Sequence, residues 1–189
     1  MNKSGEIFLN LVKIRRSVRN YRSKTVEKDK IFRCIEAARL APSACNAQPW
    51  SFIVIDDEEL KNKVAEQTSN RLLPLNHFTR QAPVHVAVVQ EKANITSRLG
   101  QTIRDKVFPW MDIGIAAVHF CLQAAAEGLG TCMLGWFNEK NVKQLLGVPA
   151  SKRVLLIITL GYPADERVVE KKRKSMNEIL YYNTYKNRG

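Results

Sequence analysis

Residues 41–50 read Ala41-Pro42-Ser43-Ala44-Cys45-Asn46-Ala47-Gln48-Pro49-Trp50, and this stretch decides what the chain on either side of it can be. Each proline fixes its own φ and steers the preceding residue away from helical dihedrals, so a helix arriving from upstream must end by Ala41. Trp50 opens a run of aromatic and β-branched residues, 50–55, which predicts a buried strand. Between the prolines stand Ser43, Asn46 and Gln48, short polar side chains on a stiff backbone next to a core. Such a loop is a good hydrogen-bonding surface for a polar heterocycle, although the same residues could simply turn the chain.

Upstream, residues 5–14 place Ile7, Leu11 and Ile14 on one helical face, and a second helix after Thr25 carries Ile31, Cys34, Ile35 and Ala38. Downstream, the pattern predicts a charged surface helix over 57–68 and a strand over 84–89 behind Pro83. Residues 90–109 have weak periodicity and contain Gly100 and Pro109, so they suggest an excursion or short helices. A long, deeply buried helix is expected over 110–127, with Ile113, Ala116, Ala117, Phe120, Cys121 and Ala124 inward and Gly128 and Gly130 as left-handed caps. A short apolar segment covers 131–136, Asn138 caps a helix through Leu146 that Gly147 closes, and 154–160 is the most apolar strand, expected at the centre. The tail, 176–189, has too few apolar partners of its own and is expected either to fray or to pack on another chain. Strands alternating with helices, without repeats or linkers, predict one α/β or α+β domain over 1–189.

Composition narrows the function. The chain has 189 residues, 45% hydrophobic and 25% charged, enough for a substantial core. The longest apolar run is one strand's worth, and the N-terminus carries no apolar signal region, so the expectation is a cytoplasmic protein with no membrane association. Four cysteines and three histidines are scattered without CxxC or metal spacing, which predicts reduced thiols and no metal; His85, in an apolar run, reads as a packed side chain. A net charge of +12 is compatible with nucleic acid, an anionic cofactor or a solvated surface. The basic residues cluster over 15–30 and 171–174 without a zinc-finger or RNA-binding signature, so no nucleic-acid partner is expected.

Three further segments could carry chemistry. Arg15-Arg16-Ser17-Val18-Arg19 offers three guanidiniums and a hydroxyl that can grip a phosphate through charge-assisted bonds, or form a solvated loop. Residues 128–138 bring glycines that let main-chain N–H groups approach a ligand, but no strand precedes them as a GxGxxG fingerprint requires. Gly161-Tyr162-Pro163 leads to the cationic run Lys171-Lys172-Arg173-Lys174. GxSxG, P-loop and HExxH motifs are absent, which leaves hydrolase and nucleotide-triphosphatase readings without support.

In this order and spacing, Arg-Arg-Ser-x-Arg, Pro-Ser-x-x-Asn-x-Gln-Pro-Trp and the C-terminal Gly-Tyr-Pro with its basic cluster resemble the FMN-dependent nitroreductase family. The resemblance implies an α+β fold with a central, mostly antiparallel sheet flanked by helices in an intertwined homodimer. It implies that Arg15, Arg16, Ser17 and Arg19 hold the FMN phosphate, ribityl chain and pyrimidine edge, and that Pro42, Ser43, Ala44 and Asn46 reach the flavin from the partner subunit. By the same resemblance Asn76 lies beside the ring, the N–H groups of Leu134, Gly135 and Trp136 face flavin N5 and O4, and Arg173 with Lys171 or Lys174 clamps the phosphate. The implied activity is ping-pong reduction of small electron-poor organic molecules such as nitroaromatics or quinones by NADH or NADPH, with the chemistry on the flavin and no side chain as general acid or base. Dehalogenation, enone reduction, flavin fragmentation or non-catalytic flavin binding on the same scaffold are the alternatives. The chain departs from longer members at 90–109, which shape the substrate pocket, and at Trp136, where some members have a smaller or acidic residue.

Overall fold

Alternating strand residues point to opposite faces of a sheet, so a strand whose residues are all apolar must be covered on both sides. In Val84–Gln90 the residues of both faces are buried over 84–89, with His85 among the apolar ones, and this sets the architecture. A computed structural model describes residues 3–69, 75–92, 107–165 and 170–186. In chain order its elements are α1 (Lys3–Ile14), α2 (Lys28–Arg39), β1 (Trp50–Ile55), α3 (Glu58–Thr68), β2 (Val84–Gln90), α4 (Phe108–Ala126), β3 (Gly130–Leu134), α5 (Glu139–Leu145), β4 (Arg153–Gly161) and α6 (Met176–Ile179). The strands form one antiparallel sheet in the order β1-β2-β4-β3, so β2 and β4 are central.

One face, through Val86, Val88, Ile158 and Leu160, packs on α2 and α4, where Cys34, Ala38, Ala117 and Phe120 lie. The other, through Ala87, Val89 and Ile157, packs on Val64 of α3 and Val142 of α5. Phe120 is fully buried, worth about 1.5–3 kcal/mol of burial for that side chain alone. The expected α+β class holds: a mostly antiparallel sheet flanked by helices.

Local signals behave largely as their chemistry demands. Asp57 and Asn138 accept the N–H groups of Leu60 and Asn141 at the starts of α3 and α5, and Gly128 and Gly147 take positive φ at helix ends. The helix over 57–68 is less superficial than its charge suggests, because Lys61, Val64, Ala65 and Thr68 are buried. His85 is fully buried; desolvation lowers its pKa to about 4, so the neutral ring donates from Nε2 to the Thr79 carbonyl at 3.0 Å. Among the described residues the four cysteines are free and no metal-binding cluster occurs, and no helix is long and apolar enough to cross a membrane.

One expectation is corrected. Gly130 is not a left-handed cap: it is the first residue of β3, and a Cβ there would sit 2.5 Å from Val18 Cγ2. The glycine is needed for close packing of a segment more than a hundred residues away. The expected excursion at 90–109 falls mainly on residues 93–106, outside the described residues.

Candidate functional site

α1 ends where the Arg15 N–H donates to the Leu11 carbonyl at 3.0 Å, and the chain then turns along the free edge of β3. Ser17 forms a parallel bridge with Thr131, and the Val18 N–H donates to the Thr131 carbonyl at 2.9 Å. At the far end of the segment Tyr21 bridges to Pro163, and the Arg22 N–H donates to the Tyr162 carbonyl at 2.9 Å. Val18 and Tyr21 are buried, and the Tyr21 hydroxyl donates to the Val18 carbonyl (2.9 Å) and bonds Thr159 Oγ1 (2.6 Å). Burial drives its ionisation far upward, so it stays a neutral anchor. Two apolar side chains thus pin a segment whose polar residues remain outside.

Those polar residues gather with the distant basic run. Burial lowers the pKa of Lys171, and the positive charges of Arg15 and Arg173, each within electrostatic range of it, lower it further. The Lys171 ammonium donates to the Val12 carbonyl at 2.6 Å, at the end of α1. Burial raises the Cys132 thiol while Arg19, the Ser17 hydroxyl and Arg15 lower it, so all three lie near the same residue of β3. Arg19 stands 5.9 Å over the Phe78 ring, and the Arg16 guanidinium donates to the Asp165 carbonyl at 2.5 Å. Among the described residues none of Arg15, Arg19, Lys171 and Arg173 forms an ion pair. Like charges held together without a counter-charge favour an anion.

β3 ends two residues beyond Cys132. Leu134 is buried, whereas Gly135 and Trp136 are exposed, and their N–H groups donate to no described residue. Gly135 opens onto a groove of about 440 Å³ that Trp110, Gly114 and Leu156 also line.

The loop at 41–50 is built differently. Cys45, Asn46 and Gln48 have φ of 51°, 50° and 46°, a region in which side-chain-bearing residues cost about 1–3 kcal/mol each. Ser43 Oγ accepts the Gln48 N–H at 3.0 Å, the Gln48 amide donates to Asn46 Oδ1 at 3.1 Å, and the Ala44 N–H donates to Asp112 Oδ1 at 3.1 Å. Pro42 and Asn46 face solvent, with Ser43 and Ala44 half-buried.

The structure therefore brings Arg15, Ser17 and Arg19 to Cys132, and Arg15 and Arg173 to Lys171, while Leu134, Gly135 and Trp136 follow at the end of the same strand as Cys132. Lys174 is exposed, and of the two lysines proposed for the cluster it is Lys171 that feels the charge of Arg15 and bonds the end of α1. Within one chain Pro42, Ser43, Ala44 and Asn46 are not part of this group. Their loop docks at Asp112, while Cys121, which feels the charge of Arg15, lies nine residues further along α4, about 13 Å at 1.5 Å per residue. Asn76 has φ 60° and spends its amide on the Thr68 carbonyl at 3.1 Å, two residues from the Phe78 ring under Arg19. Sequence reasoning missed Asp112, although a signal was present: it is the one charged side chain of α4.

Comparison with known proteins gives this geometry a context. The chain is 32% identical over 165 residues to an Archaeoglobus fulgidus protein provisionally named NADH dehydrogenase/NAD(P)H nitroreductase, covering 84% of this chain and 87% of that one. It is 26% identical over 201 residues to iodotyrosine deiodinase of Thermotoga neapolitana, covering 95% of this chain and all of that one. An FMN-dependent nitroreductase of Clostridium difficile superposes with a TM-score of 0.75 at 27% identity, over 94% of this chain and 99% of that one. The sequence model of the Nitroreductase family matches residues 12–162, from the end of α1 past the end of β4, and the chain belongs to that family.

Proposed function

We propose that the chain binds FMN between two copies of itself and serves as an NAD(P)H oxidoreductase that reduces small electron-poor organic acceptors. The observation that carries this reading is the gathering of Arg15, Lys171 and Arg173 with no described counter-charge. Its donor set suits a phosphate monoester, which accepts several charge-assisted hydrogen bonds at once, each worth about 1.5–3 kcal/mol.

FMN bound there would supply two-electron transfer between a reduced nicotinamide and the acceptor. Arg15, Lys171 and Arg173 hold its phosphate, with Arg16 and Ser17 on the same segment. Arg19 contributes positive charge where a reduced ring would carry negative charge. The unpaired N–H groups of Gly135 and Trp136 are donors for ring heteroatoms, and Asn76 is the more distant candidate. Pro42, Ser43, Ala44 and Asn46 complete the site from the partner subunit. No side chain is needed as a general acid or base.

Two apolar surfaces support the homodimer: Ile7, Phe8, Val12 and Ile14 on α1, and Trp110, Met111, Ile115 and Val118 on α4, all substantially exposed in the single chain. Contiguous exposed apolar faces of this kind mark subunit contacts. The exposure of Tyr182 and Tyr185, 61% and 83%, supports the tail 176–189 of a single 1–189 domain as a further contact with the partner.

A second reading is reductive dehalogenation on the same scaffold, favoured by the full-length similarity to a deiodinase. An absorbance spectrum of the purified protein tests the shared premise: flavin bands at about 370 nm and about 450 nm, bleached by NADH or NADPH. Recovery of the bands with a nitroaromatic or quinone supports the first reading, and recovery only with a halogenated phenol supports the second. A colourless protein that takes up no FMN overturns both.

A further inference from the structure

We infer that Asp112 is a positioning residue for the proposed reaction. Its carboxylate holds the strained 42–48 loop in the shape that completes the partner's flavin site. The inference rests on the FMN reading above and concerns a residue that reading does not use.

Three neighbouring left-handed residues that are not glycine do not persist unless their surroundings fix them. Asn tolerates this region through its short polar side chain; Cys and Gln gain nothing comparable. The bonds from Ser43 to Gln48 and from Gln48 to Asn46 tighten the loop internally, yet they would travel with it if it swung as a unit. One tie of its leading edge to the body of the protein is the Ala44 N–H donating to Asp112 Oδ1, with Glu91 N–H on the Pro49 carbonyl holding the trailing edge at 3.0 Å. Asp112 suits this task because it lies on the inward face of a 19-residue helix. The residue is only 5% exposed, between Trp110 and Ile113 in the first turns of the helix. A carboxylate in an otherwise uncharged helix is costly to bury, and among the described residues it accepts a hydrogen bond from the loop.

The chemistry separates positioning from mere stability. Arg15, Lys171 and Arg173 lie well away from the loop in the same chain, so loosening the loop leaves the phosphate grip intact while spoiling the surface over the ring. A displacement of about 1 Å at a reacting centre can cost about a hundredfold in rate.

The test uses full-length protein loaded with FMN. Asp112→Ala is expected to keep FMN affinity within about threefold of wild type while kcat/KM for the acceptor falls about tenfold to a hundredfold. Asp112→Asn, which still offers an Oδ1 acceptor to the Ala44 N–H, is expected to recover most of that loss. Ala44→Pro removes the donor from the other side of the bond without touching the core. It should reproduce the Asp112→Ala phenotype, and the double variant should be no worse than the poorer single one. The inference is overturned if folded Asp112→Ala turns over like wild type, or if Asp112→Asn is as impaired as Asp112→Ala. Should Asp112→Ala not fold, normal turnover by Ala44→Pro overturns it equally. A wild-type protein that binds no flavin refutes the FMN reading instead, which keeps the two failures distinct.

Discussion

The segment 15–21 and the loop 41–50 both belong to the proposed flavin site, and they are held by opposite means. The first is anchored by burial: Val18 and Tyr21 sink beside β3, Gly130 makes the space, and the charged residues ride outside on a backbone bonded at both ends to its neighbours. The second has little to bury between its prolines and is shaped by single hydrogen bonds against unfavourable φ values. A phosphate clamp tolerates no drift of its cations, so a packed anchor suits it. A loop that presents small polar groups at the surface cannot hide them, and backbone geometry is the remaining means of control.

The comparison can be broken first at Gly130. Gly130→Ala places a methyl 2.5 Å from a γ-carbon of a stiff, buried β-branched residue, and Val18 has no room to retreat. The expected cost is about 2 kcal/mol, a fall in Tm of about 4–8 °C by calorimetry, together with weaker FMN binding because the arginines move with Val18. An unchanged Tm would show that the segment is not anchored by this contact.

The loop should respond in the opposite direction. Cys45→Gly relieves one left-handed residue, and after the larger entropy lost by glycine on folding the net gain is about 1 kcal/mol, a rise in Tm of about 2–4 °C. A lower Tm would mean that the backbone there is not strained. Burial sets one region and strain the other if both shifts appear with these signs.

Much of this was legible in the sequence, and the exceptions have one cause. Periodicity, Pro42 and Pro83, and the caps at Asp57 and Asn138 act locally, so the helices and strands could be placed to within a few residues. The cationic runs at 15–19 and 171–174 were visible as phosphate candidates, but their meeting depends on α1 ending beside the chain that follows β4. Gly130 was misread because the atom that demands a glycine belongs to Val18. The positive φ values at Cys45 and Gln48 occur in a loop bonded to the distant Asp112, and the propensities of those residues do not announce them.

The central claim is that Arg15, Lys171 and Arg173 recognise the phosphate of a bound flavin, and riboflavin is the same ring without that phosphate. Fluorescence titration of the wild type with both ligands is therefore the most direct measurement. Two charge-assisted bonds worth about 3 kcal/mol together predict that FMN binds at least about a hundredfold more tightly, and that Arg15→Ala/Lys171→Ala narrows the ratio to within about threefold. Equal affinity of the wild type for both ligands, or an undiminished preference in the double variant, would contradict the account.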